Sequence, residues 1–276
     1  MRLSAPNCPL DADGRRLPAV HREQGSVSGR LIGLLLFMAV LFGFVLLAGR
    51  LVQKKQGTTR TFAGATHHLI VRLDAGNITV VGRPGDDTIV HRTLTYGFRK
   101  PAAKDSVRED GVHIEGACPS YSLAACRLSY RIEVPTDDIV DVRTTAGSVR
   151  VRALTGAVTL STTAGSLSVD DLEGRVDLST TAGSIKGTAL RTLDVQAHTS
   201  AGSVSLRFDV APNNVDVSTS AGSVSVDLVD AVYKVDATAG AGSTNVDVRT
   251  DADATRTVKA ETSAGSIRIT RHNGLR

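Results

Sequence analysis

The chain has no tryptophan, and aromatic residues make up only 4 % of it. That scarcity removes the usual stacking platform for nucleobases or sugar rings. Cysteine is nearly absent too. Three occur in 276 residues, and two of them, Cys118 and Cys126, stand eight apart in one segment. No Cys/His spacing suits a structural zinc. The histidines His67, His68, His91, His113, His198 and His272 show no ligand spacing either. Basic excess is missing where binding would need it. Residues 1–66 carry nine Lys/Arg against three Asp/Glu, and the other 210 carry 23 against 25. The net charge of +4 therefore belongs to the amino-terminal region, and the rest has no cationic surplus to neutralise phosphates. Nucleic acid is excluded as a partner.

What the chain does have is one turn, repeated. Ala75-Gly76-Asn77 is followed by Ala-Gly-Ser at 146–148, 164–166, 182–184, 201–203, 221–223, 241–243 and 264–266. From Gly147 the glycines step by 18, 18, 19, 20, 20 and 23 residues. A period of this size marks stacked structural units. The frame around each glycine is constant. Seven positions before it stand Leu69, Val158, Val176, Val195, Val215, Val235 and Val258. Three before are mostly threonines, such as Thr162, Thr180, Thr199, Thr219 and Thr262. Two after come Ile78, Val149, Leu167, Ile185, Val204, Val224, Thr244 and Ile267.

Apolar residues two apart share one face of an extended strand, and polar residues take the other. The buried face shrinks from valine through threonine to alanine as the corner nears. Glycine suits the corner because positive φ costs it no Cβ clash. One unit cannot enclose a core, but stacked units can. The pattern predicts an all-β fold: a β-solenoid of parallel coils of about 18–20 residues each. Structural turns are expected at Gly76, Gly147, Gly165, Gly183, Gly202, Gly222, Gly242 and Gly265. The repeat is interrupted over 81–135 by an irregular insertion, in which patches at 89–94, 112–114 and 128–134 read as longer strands of the same sheet joined by excursions at 97–110 and 115–127.

Leu31 to Gly49 is nineteen residues without charge or proline, bracketed by Arg30 and Arg50. As a helix it would be about 28 Å long, close to the hydrocarbon core of a bilayer. It exceeds the h-region of a cleaved signal peptide, and thirty residues precede it. The expected plan is a cytoplasmic disordered tail (1–30), one transmembrane signal-anchor α-helix (31–51), a linker (52–66) and the solenoid (67–276). Positive charges tie across the span, so they do not orient it. Cys118 and Cys126 do, because a cysteine pair in an otherwise cysteine-free domain suggests a disulfide and an oxidising exterior. Cys8, in the tail, would remain a free thiol.

Candidate chemistry is thin. A serine nucleophile among the turns lacks a base, an oxyanion hole and a Gly-x-Ser-x-Gly elbow. The threonine column points inward by parity, which rules out an exposed ice-binding array. The outward acids Asp170, Asp177, Asp216, Asp227, Asp236 and Asp247 could stack in adjacent coils, Asp216 over Asp236 for instance. Such a pair could raise one pKa or hold Ca²⁺, although the calcium nonapeptide is absent. No catalytic, cofactor-binding or metal-binding residue is assigned. The last strand, Ser266 to Arg271, is expected at the end of the stack, where Arg268 and Arg271 either guard an edge or are simply solvated.

The repeated Thr-(Thr/Ser)-Ala-Gly-Ser frame, the earlier Leu73-Asp74-Ala75-Gly76-Asn77-Ile78-Thr79-Val80 and the Ile132-Glu133-Val134-Pro135 run resemble a bacterial adhesin-like β-strand-repeat family, catalogued as a domain of unknown function. The likeness covers about 67–270. Family members often carry Gly-Asp or Gly-Asn where this chain has Gly-Ser. The resemblance implies a single-pass cell-membrane protein of Gram-positive type. Its extracytoplasmic domain would be a non-catalytic scaffold or adhesin-like module, and some relatives accompany envelope-stress systems. Its partners would be an envelope protein or polysaccharide. The alternative is a carbohydrate-active enzyme using the outward acids. The family supplies no catalytic residues.

Overall fold

A computed structural model describes residues 32–43, 54–64, 67–97, 99–119 and 126–272. The chain divides into two compact units, Met1–Ala48 and Gly49–Arg276. In the first, residues 32–43 form a helix. Among the described residues, no helix is long and apolar enough to cross a membrane. The rest of the expected 31–51 span lies outside the described residues, as does the expected tail.

The second unit is all-β and mostly parallel. Its strands are β1 (Lys54–Phe62), β2 (His68–Arg83), β3 (Thr88–Tyr96), β4 (Ala102–Arg108), β5 (Gly111–Ala117), β6 (Arg127–Pro135), β7 (Ile139–Ala146), β8 (Val149–Leu154), β9 (Val158–Ala164), β10 (Leu167–Leu172), β11 (Val176–Ala182), β12 (Ile185–Leu190), β13 (Asp194–Ala201), β14 (Val204–Phe208), β15 (Asn214–Ala221), β16 (Val224–Val229), β17 (Val232–Ala241), β18 (Thr244–Asp247), β19 (Arg249–Thr250), β20 (Thr257–Ala264) and β21 (Ile267–His272). The turn glycine of each coil carries the chain from one sheet to the other. Strands before the corner stack as β5-β2-β7-β9-β11-β13-β15-β20-β17. Strands after it stack as β6-β2-β8-β10-β12-β14-β16-β21-β18.

Alternation sets the core, as the sequence pattern requires. Val176, Leu178, Ile185 and Leu190 are buried, and so are their counterparts above and below. Gly147, Gly165, Gly183, Gly202, Gly222, Gly242 and Gly265 all have positive φ. Gly76 sits at the same corner but does not turn that way. β2 runs through it as one continuous strand that serves both sheets.

The buried threonines do more than fill space. Thr180, Thr199, Thr219 and Thr262 donate their hydroxyls to the carbonyls of Gly165, Gly183, Gly202 and Gly222, at 3.2, 3.1, 3.0 and 3.0 Å. Each thus ties its strand to the corner of the coil before it. Thr219→Val keeps the shape but strands a carbonyl. It should lower unfolding free energy by about 1–3 kcal/mol, read from urea denaturation; an unchanged midpoint would show that the bond contributes nothing.

Three expectations are corrected. The stretch read as a linker is largely β1, an antiparallel partner of β3 over nine residue pairs. Its threonines favour a strand, and β3 offers it an open edge. The 81–135 interruption contributes a full coil, β5 with β6, stacked outside β2. It also adds the antiparallel strands β3 and β4 beyond that coil. Finally, β21 is not an edge. The last coil in sequence, β20–β21, lies between β15–β16 and β17–β18. Every coil offers the same inner face, so stacking does not oblige the chain to follow sequence order.

Candidate functional site

The outward acids come from strands whose parity is fixed by the core, so each has set neighbours. Asp170 lies between Arg152 and Thr188, and accepts the Thr188 hydroxyl at 2.6 Å. Asp177 lies between Thr159 and Gln196. Asp227 meets Arg207 at 3.8 Å and His272 at 3.1 Å. Asp247 lies beside Thr270. The expected stack of Asp216 on Asp236 does not form. The intercalated β20 places Lys259 between them. Lys259 also meets Glu261 at 3.0 Å. Its pKa is raised first by that hydrogen bond and charge, then by Asp216 and Asp236. No two of these six acids are direct cross-strand neighbours.

His198 and Ser218 stand side by side on the outer face, Nδ1 to Oγ 2.8 Å. The distance suits a base and a nucleophile. Yet the backbone N–H groups of β13 and β15 are committed to parallel ladders on both sides, so these two strands offer no oxyanion donors. Beside Ser218 lies an open depression of about 480 Å³, bordered by Ser218, Ser220, Thr238, Gly240, Glu261 and Ser263.

Two clusters were not legible in the sequence. The first joins His67 to the turn between β6 and β7. Its Nδ1 lies 3.1 Å from Asp138 Oδ1 and 3.6 Å from Asp137 Oδ1. These are metal-capable groups, although no histidine spacing pointed to them, because 71 residues separate His67 from Asp138. Asp138 is buried, and burial pushes its pKa up to about 6, against the hydrogen bond from His67. The folded state therefore holds this proton more tightly than the unfolded chain, where the value is near 3.8. The stability it contributes is complete below about pH 4 and is lost as pH rises to about 6. Asp138→Asn should flatten that decline in denaturation midpoints measured from pH 4 to 7. An unaltered slope would assign the decline to other groups.

The second cluster closes the core beyond β5 and β6. Arg92 Nη1 meets Asp105 Oδ2 at 2.7 Å, with 10 % and 1 % of their side chains exposed. Arg60 of β1 reaches the Asp105 backbone carbonyl at 3.3 Å. Tyr130 is buried beside them. Burial and then the Asp105 charge push its pKa up to about 12, against Arg92. Among the described residues, Asp105 Oδ1, Arg92 Nε and Tyr130 Oη have no hydrogen-bond partner.

Cys118 and Cys126 are joined in a disulfide, with Cα atoms 6.0 Å apart. The loop between them lies largely outside the described residues.

No curated protein matches the chain. Solved structures similar to it include a candidate cell adhesion protein from Clostridium sporogenes, with 13 % identity, 79 % of this chain and 100 % of that chain covered, and a TM-score of 0.38. A candidate adhesin from Bacteroides fragilis is 12 % identical over 78 % of this chain and 98 % of that one, with a TM-score of 0.42. One from Parabacteroides distasonis is 12 % identical over 78 % and 97 %, with a TM-score of 0.39. The Toastrack DUF4097 family matches residues 65–274. Because that match runs along the whole solenoid, the chain belongs to the Toastrack DUF4097 family.

Proposed function

We propose that the chain is a non-catalytic interaction module, anchored by residues 31–51 in the cell membrane and displayed outside the cytoplasm. The observation that carries this reading is the spacing of the outward acids. Each is flanked by a cation, a hydroxyl or an amide, as Lys259 separates Asp216 from Asp236. Glycoside hydrolysis typically uses two carboxyl groups facing one bond, and none of these six acids lies beside another. Single, regularly spaced polar groups on a stiff sheet instead suit adhesion to an extended envelope partner, a protein or a polysaccharide. The apolar run between Arg30 and Arg50 supports the anchor. The Cys118–Cys126 disulfide supports an oxidising exterior.

Protease shaving of intact cells tests the display. The solenoid should be lost from the outside while the tail is retained; a protected solenoid would place it in the cytosol. The enzyme alternative is tested by Asp170→Ala, Asp177→Ala and Asp216→Ala against cell-wall glycans. Turnover abolished by these changes would overturn the non-catalytic reading.

A further inference from the structure

The solenoid is close to neutral, but its charges are sorted by row. Outward side chains of adjacent coils line up along the stack, one strand spacing apart, about 4.8 Å. Asp141, Asp177, Asp216 and Asp236 share one such row on the sheet before the corner, with Lys259 among them. On the sheet after the corner, the row nearest the serine turns is different. Arg131, Thr79, Arg150, Ser168 and Lys186 follow one another there in register. Beyond Lys186 come two serines and then Arg268. Among the described strands, no carboxylate stands anywhere in this row.

The cations of this strip are uncommitted. Arg150, Lys186 and Arg268 are exposed and make no ion pair among the described residues. Arg131 leans on Glu133 at 3.6 Å. Arg268 guards no edge, because β21 lies inside the stack. Arg131, Arg150 and Lys186 stand on alternate strands, so a cation recurs about every 9.6 Å with a hydroxyl between. From Arg131 to Arg268 the strip is about 34 Å long. Along one side runs the ridge of turn serines, Ser166, Ser184 and Ser203 among them. Along the other, Glu133, Asp170 and Asp227 share a mixed row with Arg152 and Arg207.

We propose that this strip binds a linear acidic polysaccharide laid along the stack, an inference that rests on the interaction-module reading above and names its partner. A pyranose ring lengthens a chain by about one strand spacing. Carboxylates on alternate sugars therefore meet cations on alternate strands, where arginine forms charge-assisted and bidentate hydrogen bonds. The sugar hydroxyls meet Thr79, Ser168 and the serine ridge. The strip holds no aliphatic, Phe, Tyr or Trp side chain, so it lacks the anchors of a protein interface. Duplex DNA carries one charge per about 1.7 Å, far denser than this row. An anionic bilayer is a plane and would press on the acids of the neighbouring row, which a single thread avoids.

The test uses the full-length protein in detergent and hyaluronate, whose carboxylates fall on alternate sugars. The wild type should bind immobilised hyaluronate, more weakly as salt rises, and should ignore its carboxyl-reduced form. Arg150→Ala/Lys186→Ala should lower the affinity about tenfold or more, with an unchanged urea midpoint. Ser168→Asp sets a carboxylate between the two cations and should do the same, which covers the case in which the double variant misfolds. Arg207→Ala removes a cation of the next row that already faces Asp227 at 3.8 Å, and should change affinity by less than about twofold. No binding, binding indifferent to the strip variants, an equal loss with Arg207→Ala, or tighter binding to polyuridylate would each overturn the proposal. A solenoid that shaving releases but that leaves hyaluronate unbound sinks only this partner. Hyaluronate shortened by the protein would sink the non-catalytic reading, and this proposal with it.

Discussion

Gly222→Ala should destabilise the solenoid by on the order of 3–5 kcal/mol, a large effect for one added methyl. The φ of Gly222 is 152°, which side-chain-bearing residues rarely adopt. A Cβ there would also overlap the carbonyl oxygen of Gly202 in the coil below. Neither coil can yield alone. Gly222 N bonds to Ala264 O at 2.9 Å, and Thr262 bonds to Gly222 O at 3.0 Å. The corner is held from the coil above, so a shift there must pass to its neighbours. Total stabilities are commonly 5–15 kcal/mol, so the loss should be plain in urea denaturation. Ser223→Ala, one residue on and facing solvent, should change it by less than about 0.5 kcal/mol. Equal effects at the two positions would mean that the turn tolerates a side chain.

Arg92→Met should cost about 3–5 kcal/mol. It leaves the Asp105 carboxylate almost wholly buried, 1 % exposed, without its close cation. The second arginine does not replace it. Arg60 Nε is 3.9 Å away, and half of that side chain is in solvent. The double variant Arg92→Met/Asp105→Leu removes both charges and should recover most of the loss, because burying a charge pair carries a desolvation cost that apolar packing avoids. A denaturation cycle over the four proteins measures the coupling. Additive losses would show that Asp105 finds another partner, and the unpaired Tyr130 hydroxyl is the nearest in kind.

Sequence order revealed the coil but not the stack. The glycine corner, the alternating valines and the shrinking Thr–Ala flank are local properties, repeated in every unit, and they were readable at Val176–Ala182 as easily as at Thr257–Ala264. Which coil lies on which is not local. A strand such as β15 offers the same inward Val-x-Val-x-Thr to β17 as to β20. The differences that mark β17 as an end, Ala239 for threonine and Gly240 for serine, look like minor drift when read along the chain. One misplaced coil was enough to mislead about Asp216, Asp236 and Lys259. The buried pairs were hidden for a related reason. His67 and Asp138, or Arg92 and Asp105, meet only once the strands that skip past each other are in place. Gly76 shows the limit of motif reading at a single position. The same Ala-Gly frame marks the same corner, yet the strand passes through it extended.

The intercalated final coil has a consequence for how the protein is made. During synthesis, Val232–Thr250 emerges before Thr257–His272, the layer that separates it from β15 and β16. The end layer therefore has no correct seat until Thr257–His272 has left the ribosome, although earlier coils can settle as they appear. Until then β17 can rest on β15 one layer too low, in a register that the shared frame permits. A β17 seated in that way would have to lift away for the last segment to slip beneath. A chain cut short at residue 256 would lose an interior slab rather than a fringe.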